Sequence, residues 1–112
     1  KLLSEIEEIE FLTEPDEKYF SNYWLTTILI NKADNNSNIV EKVRLELEKN
    51  KIESRPLWKP MHMQSVFLQY DAFLNGNSEY LFDNGLCLPS GSNLSENEIE
   101  EICDIIIRIL KR

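Results

Sequence analysis

The chain has 112 residues, 42% of them hydrophobic, which suffices for one compact domain with one core and is too short for two. Twenty acidic side chains against twelve basic ones leave a net charge of -8, so a phosphate backbone is repelled and nucleic acid is not an expected partner. No apolar run approaches the roughly 18 residues that cross a bilayer, and the N-terminus has neither a basic start nor an apolar signal core, so the expectation is a cytoplasmic protein with no membrane partner.

The first segment, KLLSEIEEIEFL, places Leu2, Leu3, Ile6 and Ile9 at helical spacing with no capping residue in front. It reads as the end of a truncated helix over residues 1–13, the start of what is left of a longer polypeptide. TEPDEKYFSN then breaks the pattern at Pro15 and Asp16. Tyr23 to Ile30 is rich in β-branched and aromatic residues with apolar side chains on both alternating faces, which predicts a strand covered on each side.

NKADNNSN, residues 31–38, is a turn. Asn38 and Glu41 fit a capping box for a helix whose stripe is Val40, Val43 and Leu47, and Asn50 suits a left-handed end with Lys51 opposing the dipole. Ile52 to Leu57 predicts a short strand running out at Pro56 and Lys59-Pro60. The stretch from Met63 to Asn77 has no clean period and reads as loop and short helix. A brief helix from Asn77 or Ser78 is closed by Gly85 through a positive φ, and LCLP follows as a third strand. In the last helix Ser95 and Glu98 form a capping box, Leu94 and Ile99 a hydrophobic staple, and Ile99, Ile102, Cys103, Ile106, Ile109 and Leu110 the buried face. Lys111 and Arg112 sit where the dipole favours cations. The expected fold is α+β: a small two-layer domain with a short, mainly antiparallel three-stranded sheet packed by helices.

No reaction centre emerges from the residues. Cys87, Cys103 and a single histidine cannot make a zinc site, and both cysteines read as small buried apolar side chains. The Asn-x-Ser triplets at Asn35 and Asn93 are treated as chance. His62 has no nucleophile in a reactive context nearby. LPSGSNLS precedes a helix, but one glycine is far short of a P-loop and Ser95 is taken by the cap. The carboxylate runs SEIEEIE and SENEIEE follow helical spacing and read as solvated faces. ESRPLWKPMHMQ, residues 53–64, stands apart: Arg55 offers a fork of donors for phosphate or carboxylate, Trp58 a flat face, and Pro56 and Pro60 stiffen the loop. The bland alternative leaves Arg55 paired with a neighbouring acid and Trp58 in the core. These residues describe a possible binding edge without catalytic residues.

SNYWL at 21–25, ESRPLWKPMHMQ at 53–64, SEYLFDNGLCLPSG at 78–91 and SNLSENEIEEICDII after it resemble, in that order, the C-terminal domain of the DegT/DnrJ/StrS aminotransferases. The resemblance covers residues 14–112 and implies the small domain of a pyridoxal phosphate enzyme that aminates a nucleotide-linked keto sugar. The R-P-L-W-x-P-M-H run is most like enzymes acting on UDP-linked 4-keto-6-deoxy sugars, with glutamate as amino donor. It further implies a large cofactor-binding domain that is absent here, a parent homodimer, and pyridoxal phosphate held by the parent rather than by these residues. By the same resemblance Arg55, Trp58 and His62 lie near the sugar nucleotide, and the chain alone is inactive. The alternative is a stand-alone α+β module that binds a small anion or a protein partner.

Overall fold

A computed structural model describes residues 2–31 and 38–111, so most of the turn expected over 31–38 falls outside it, as do Asn35 and Arg112. Three helices and four strands follow in the order β1 (Ile9–Phe11), β2 (Thr26–Ile30), α1 (Ile39–Lys49), β3 (Arg55–Pro56), α2 (Asn77–Asn84), β4 (Gly85–Leu88) and α3 (Glu96–Leu110). The strands form one antiparallel sheet ordered β1-β2-β4-β3. The α+β class holds, with four strands in place of three.

The additional strand comes from the segment expected to be helical. Ile6 N–H donates to the Leu3 carbonyl and Ile9 N–H to the Ile6 carbonyl, at 3.2 and 3.0 Å, so tight turns precede β1. Leu3 and Ile9 enter the core and Ile6 packs beside it. Apolar residues three apart line up on such turns as they do on a helix, so spacing alone does not separate the two.

Register assigns the faces. Ile9 and Phe11 on β1, Ile28 and Ile30 on β2, and Leu86 and Leu88 on β4 share the face that meets α1 and α3. Val43, Leu47 and Ile106 are fully buried there. Leu29, also buried, points the other way, beside Gly85. An atom added on the outer side of Gly85 would meet Leu57 and the Leu81 carbonyl of α2, so α2 and Leu57 cover this part of the second face. β2 is therefore buried on both faces only over Ile28–Ile30. Upstream, Ser21 Oγ accepts from Tyr23 N–H and Asn22 Oδ1 from Trp24 N–H, both at 3.1 Å, and Tyr23 takes φ 51°. These side chains capture the donors a ladder would use, so the expected strand starts later, at Thr26.

The helix ends bear out some expectations and correct others. Ser95 and Glu98 form the capping box of α3, and the Ser95 hydroxyl and backbone N–H, both donating to Glu98 Oε2, hold the Glu98 carboxyl below its usual range. Ile105 joins the buried face of α3, while Ile99 is exposed. Asn38 precedes α1 without a side-chain cap, and Glu41, rather than reaching back to Asn38, grips Arg44 through two bonds of 2.7 and 2.8 Å. At the other end Lys51, not Asn50, is left-handed, with φ 63°. Lys51 N–H donates to Glu48 and Ile52 N–H to Leu47, both at 2.9 Å, which completes a Schellman motif. Lys51→Gly is expected to raise stability by roughly 0.5–1 kcal/mol, the relief of a side chain in left-handed backbone less the added freedom of the unfolded glycine; a chemical denaturation midpoint measures it. Gly85 does not close α2 with a positive φ; it is extended, at φ -94°, and begins β4 directly.

Candidate binding groove

The segment singled out in the sequence runs from an edge strand into a loop. Pro56 can sit in β3 because the strand is two residues long and at the sheet edge, paired only with Cys87 and Leu86 of β4. Beyond it, Met61–Met63 and Ser65–Phe67 form two short 3-10 turns, the second within the stretch from Met63 to Asn77 expected to be loop and short helix.

Arg55 and Trp58 come together on a groove of about 770 Å³, whose lining also includes Trp24, Pro89, Leu94 and Ile102. Trp58 and Trp24 are each 71% exposed, so neither is core. Arg55 Nε donates to Glu53 Oε1 at 2.7 Å, and the two side chains are 77% and 73% exposed. The pairing with a neighbouring acid is thus present, but an ion pair this exposed contributes little, and an incoming anion can compete for the guanidinium at small cost. The charge of the groove is mixed: Lys51 and Arg55 face Glu53, Glu98 and Glu101. Its anionic selectivity would rest on one fork of donors rather than on a general positive field.

Ser90 is spoken for. Its Oγ accepts from Thr26 N–H at 2.7 Å and donates to the Leu88 carbonyl at 2.8 Å, extending the β2–β4 pairing past a proline that has no N–H to give. With Ser95 in the capping box, two hydroxyls of LPSGSNLS serve the fold, which weakens that loop further as a phosphate cradle.

His62 does not line the groove. Its Nε2 lies 2.8 Å from Glu79 Oε1 on α2, at an angle outside that of a hydrogen bond, and the side chains are 19% and 28% exposed. The Glu79 carboxyl is held below its usual range first by its own backbone N–H, then by the Ser78 hydroxyl and the imidazole. Sequence reasoning missed Trp24 as a groove residue: it follows SNY directly, and only the turn made by Ser21 and Asn22 takes its side chain out of the expected strand.

Cys87 and Cys103 are free and buried, and burial followed by the nearby Asp104 pushes the Cys103 thiol up. Among the described residues no three His, Cys, Asp or Glu side chains gather in a metal-binding cluster, and no helix is long and apolar enough to cross a membrane. Every described lysine is exposed. A lysine that carries a cofactor as a Schiff base works in a desolvated or cation-flanked pocket, so these residues do not fit pyridoxal phosphate.

Comparison with known proteins gives the arrangement a context. Residues 1–107 match the DegT/DnrJ/EryC1/StrS aminotransferase family. The chain is 39% identical over 93 residues to EpsN of Bacillus subtilis (strain 168), named as a pyridoxal phosphate-dependent aminotransferase, a match spanning 80% of this chain and 23% of EpsN. It is 33% identical over 90 residues to the GDP-perosamine synthase of Vibrio cholerae, across 78% of this chain and 23% of that protein. The fold superposes on the sugar aminotransferase Spr1654 of Streptococcus pneumoniae in its PMP form with a TM-score of 0.82 and 20% identity, over 98% of this chain and 27% of that one. The chain spans about a quarter of the length of each of these proteins. It belongs to the DegT/DnrJ/EryC1/StrS aminotransferase family.

Proposed function

We propose that this chain, β1 included, is the small C-terminal domain of a pyridoxal phosphate-dependent aminotransferase, and that its groove forms one wall of the cleft for a nucleotide-linked keto sugar. The observation that carries the reading is the convergence of Arg55 and Trp58 on one groove in a chain of this family. An exposed guanidinium suits a diphosphate and an exposed indole suits a ring, while the exposed lysines leave the cofactor to another part of the parent. On this reading the chain alone has no transaminase activity. A UDP-linked 4-keto-6-deoxy sugar, glutamate as donor, a homodimeric parent and a cytoplasmic location belong to the same proposal. His62, four residues beyond Trp58, is not among the groove's lining residues and meets Glu79 of α2 instead.

The exposed aromatic surface supports a large partner domain. Phe20, Trp24, Trp58 and Phe73 all stand in solvent, the last at 103% exposure. Apolar area of this kind on a small domain marks a surface that is covered in the working molecule.

In the full-length protein, Arg55→Ala is expected to raise the Michaelis constant for the nucleotide sugar roughly tenfold or more, the loss of one charge-assisted contact, with the melting temperature unchanged. Steady-state kinetics with a thermal melt measures both. An unchanged Michaelis constant would leave Arg55 as the surface partner of Glu53 and nothing more.

A further inference from the structure

We propose that His62 and Glu79 form a proton-dependent latch that holds the Met61–Met63 turn, and with it the loop carrying Trp58, against α2. Nε2 of His62 is shut off from solvent, and Glu79 Oε1 lies 2.8 Å away. The rest of the turn moves with the imidazole. Met63 N–H donates to the Pro60 carbonyl at 3.0 Å, Gln64 N–H to Met61 at 3.0 Å, and the Gln64 side-chain amide to the Lys59 carbonyl at 2.9 Å. Residues 59–64 are therefore one braced unit, and Pro60 within it is buried.

Trp58 sits between two anchors. On one side Arg55 and Pro56 pair with β4; on the other stands the braced turn, joined to α2 through His62. The helix is itself tied down, since Tyr80 Oη donates to Asn31 Oδ1 at 2.6 Å. Lys59 and Asp71 are the other charged side chains of the loop and Asp83 of α2, yet His62 is the charged group that acts on the Glu79 carboxylate. The strands beneath α2, Thr26–Ile30 and Gly85–Leu88, contain no titratable group except Cys87. With its carboxyl held low, Glu79 stays anionic across the range of roughly pH 5–8 in which histidines titrate. Imidazolium adds an ion pair across this contact and the neutral ring does not, so the latch loosens as pH rises.

The latch stands on this geometry whatever fills the groove, and its test does not depend on activity. Hydrogen exchange is measured on the full-length protein at pH 5.5 and 7.5, with rates corrected for intrinsic exchange and α3 as the control for global unfolding. The amides of Met63, Gln64 and Phe67 are expected to be about two- to five-fold better protected at pH 5.5, the scale of a partly exposed ion pair. Glu79→Gln should abolish that difference, and His62→Lys, whose charge is fixed, should give the closed-state protection at both pH values. Equal protection at the two pH values in the wild type, a difference that persists in Glu79→Gln, or loss of protection at both pH values in His62→Lys would each overturn the proposal.

Discussion

Gly85→Ala is expected to lower stability by about 1–3 kcal/mol, the cost of forcing an extra carbon into packed surroundings. The new methyl would lie 2.6 Å from Leu57 Cγ, and closer still to Leu57 Cδ1 and the Leu81 carbonyl oxygen. Leu57 can turn aside, but the carbonyl belongs to the backbone of α2, so relief requires the helix to lift off the sheet. Leu57→Ala in the same chain should therefore recover part of the loss and not all of it. Urea denaturation of the two single variants and the double variant separates the contributions. An unchanged midpoint for Gly85→Ala would mean that α2 sits loosely on the sheet and does not cover that face.

The second large effect is at Ile106. It is fully buried where α3 meets the sheet and α1, and Ile106→Ala is expected to cost about 2–5 kcal/mol through lost burial and the cavity left behind. Domains of this size hold only about 5–15 kcal/mol in total, so the transition should fall by many degrees. Ile99 on the same helix is the internal control: it is 41% exposed, and Ile99→Ala should leave the melting temperature nearly unchanged. Thermal denaturation followed by circular dichroism compares the two. Similar losses at both sites would show that the exposed side of α3 is also packed.

That contrast also shows what the sequence carried. The capping box and the run of isoleucines placed α3 within a residue of its observed start, since capping and periodicity are local properties. Ile105 was missed and Ile99 overcounted, because the width of a buried stripe depends on what packs against it, here α1 as well as the sheet. β1 was hidden by spacing that helices and tight turns share. Gly85 was read for its backbone freedom, while its need is space for Leu57, a neighbour 28 positions away. The groove was half legible: Arg55 and Trp58 stand out by composition in an acidic chain. Trp24 is turned out by the local bonds of Ser21 and Asn22 but is brought beside Arg55 and Trp58 by the pairing of β2 and β3 with β4, and His62 finds Glu79 through the placement of α2, long-range facts that no local pattern encodes.

The two inner strands meet late along the chain. Thr27 of β2 and Cys87 of β4 face each other 60 positions apart, with Thr27 Oγ1 3.8 Å from Cys87 Sγ. The centre of the sheet is thus a non-local pairing, and topologies of this kind fold more slowly than those built from neighbouring segments. The helices and turns between the two strands can flicker into place early, but nothing locks until β4 arrives beside β2. The same arithmetic makes the intervening loop a forgiving place for added residues, since doubling the length of a closed loop costs only about 0.6 kcal/mol. The rim of the groove can therefore be lengthened or reshaped without rebuilding the sheet that supports it.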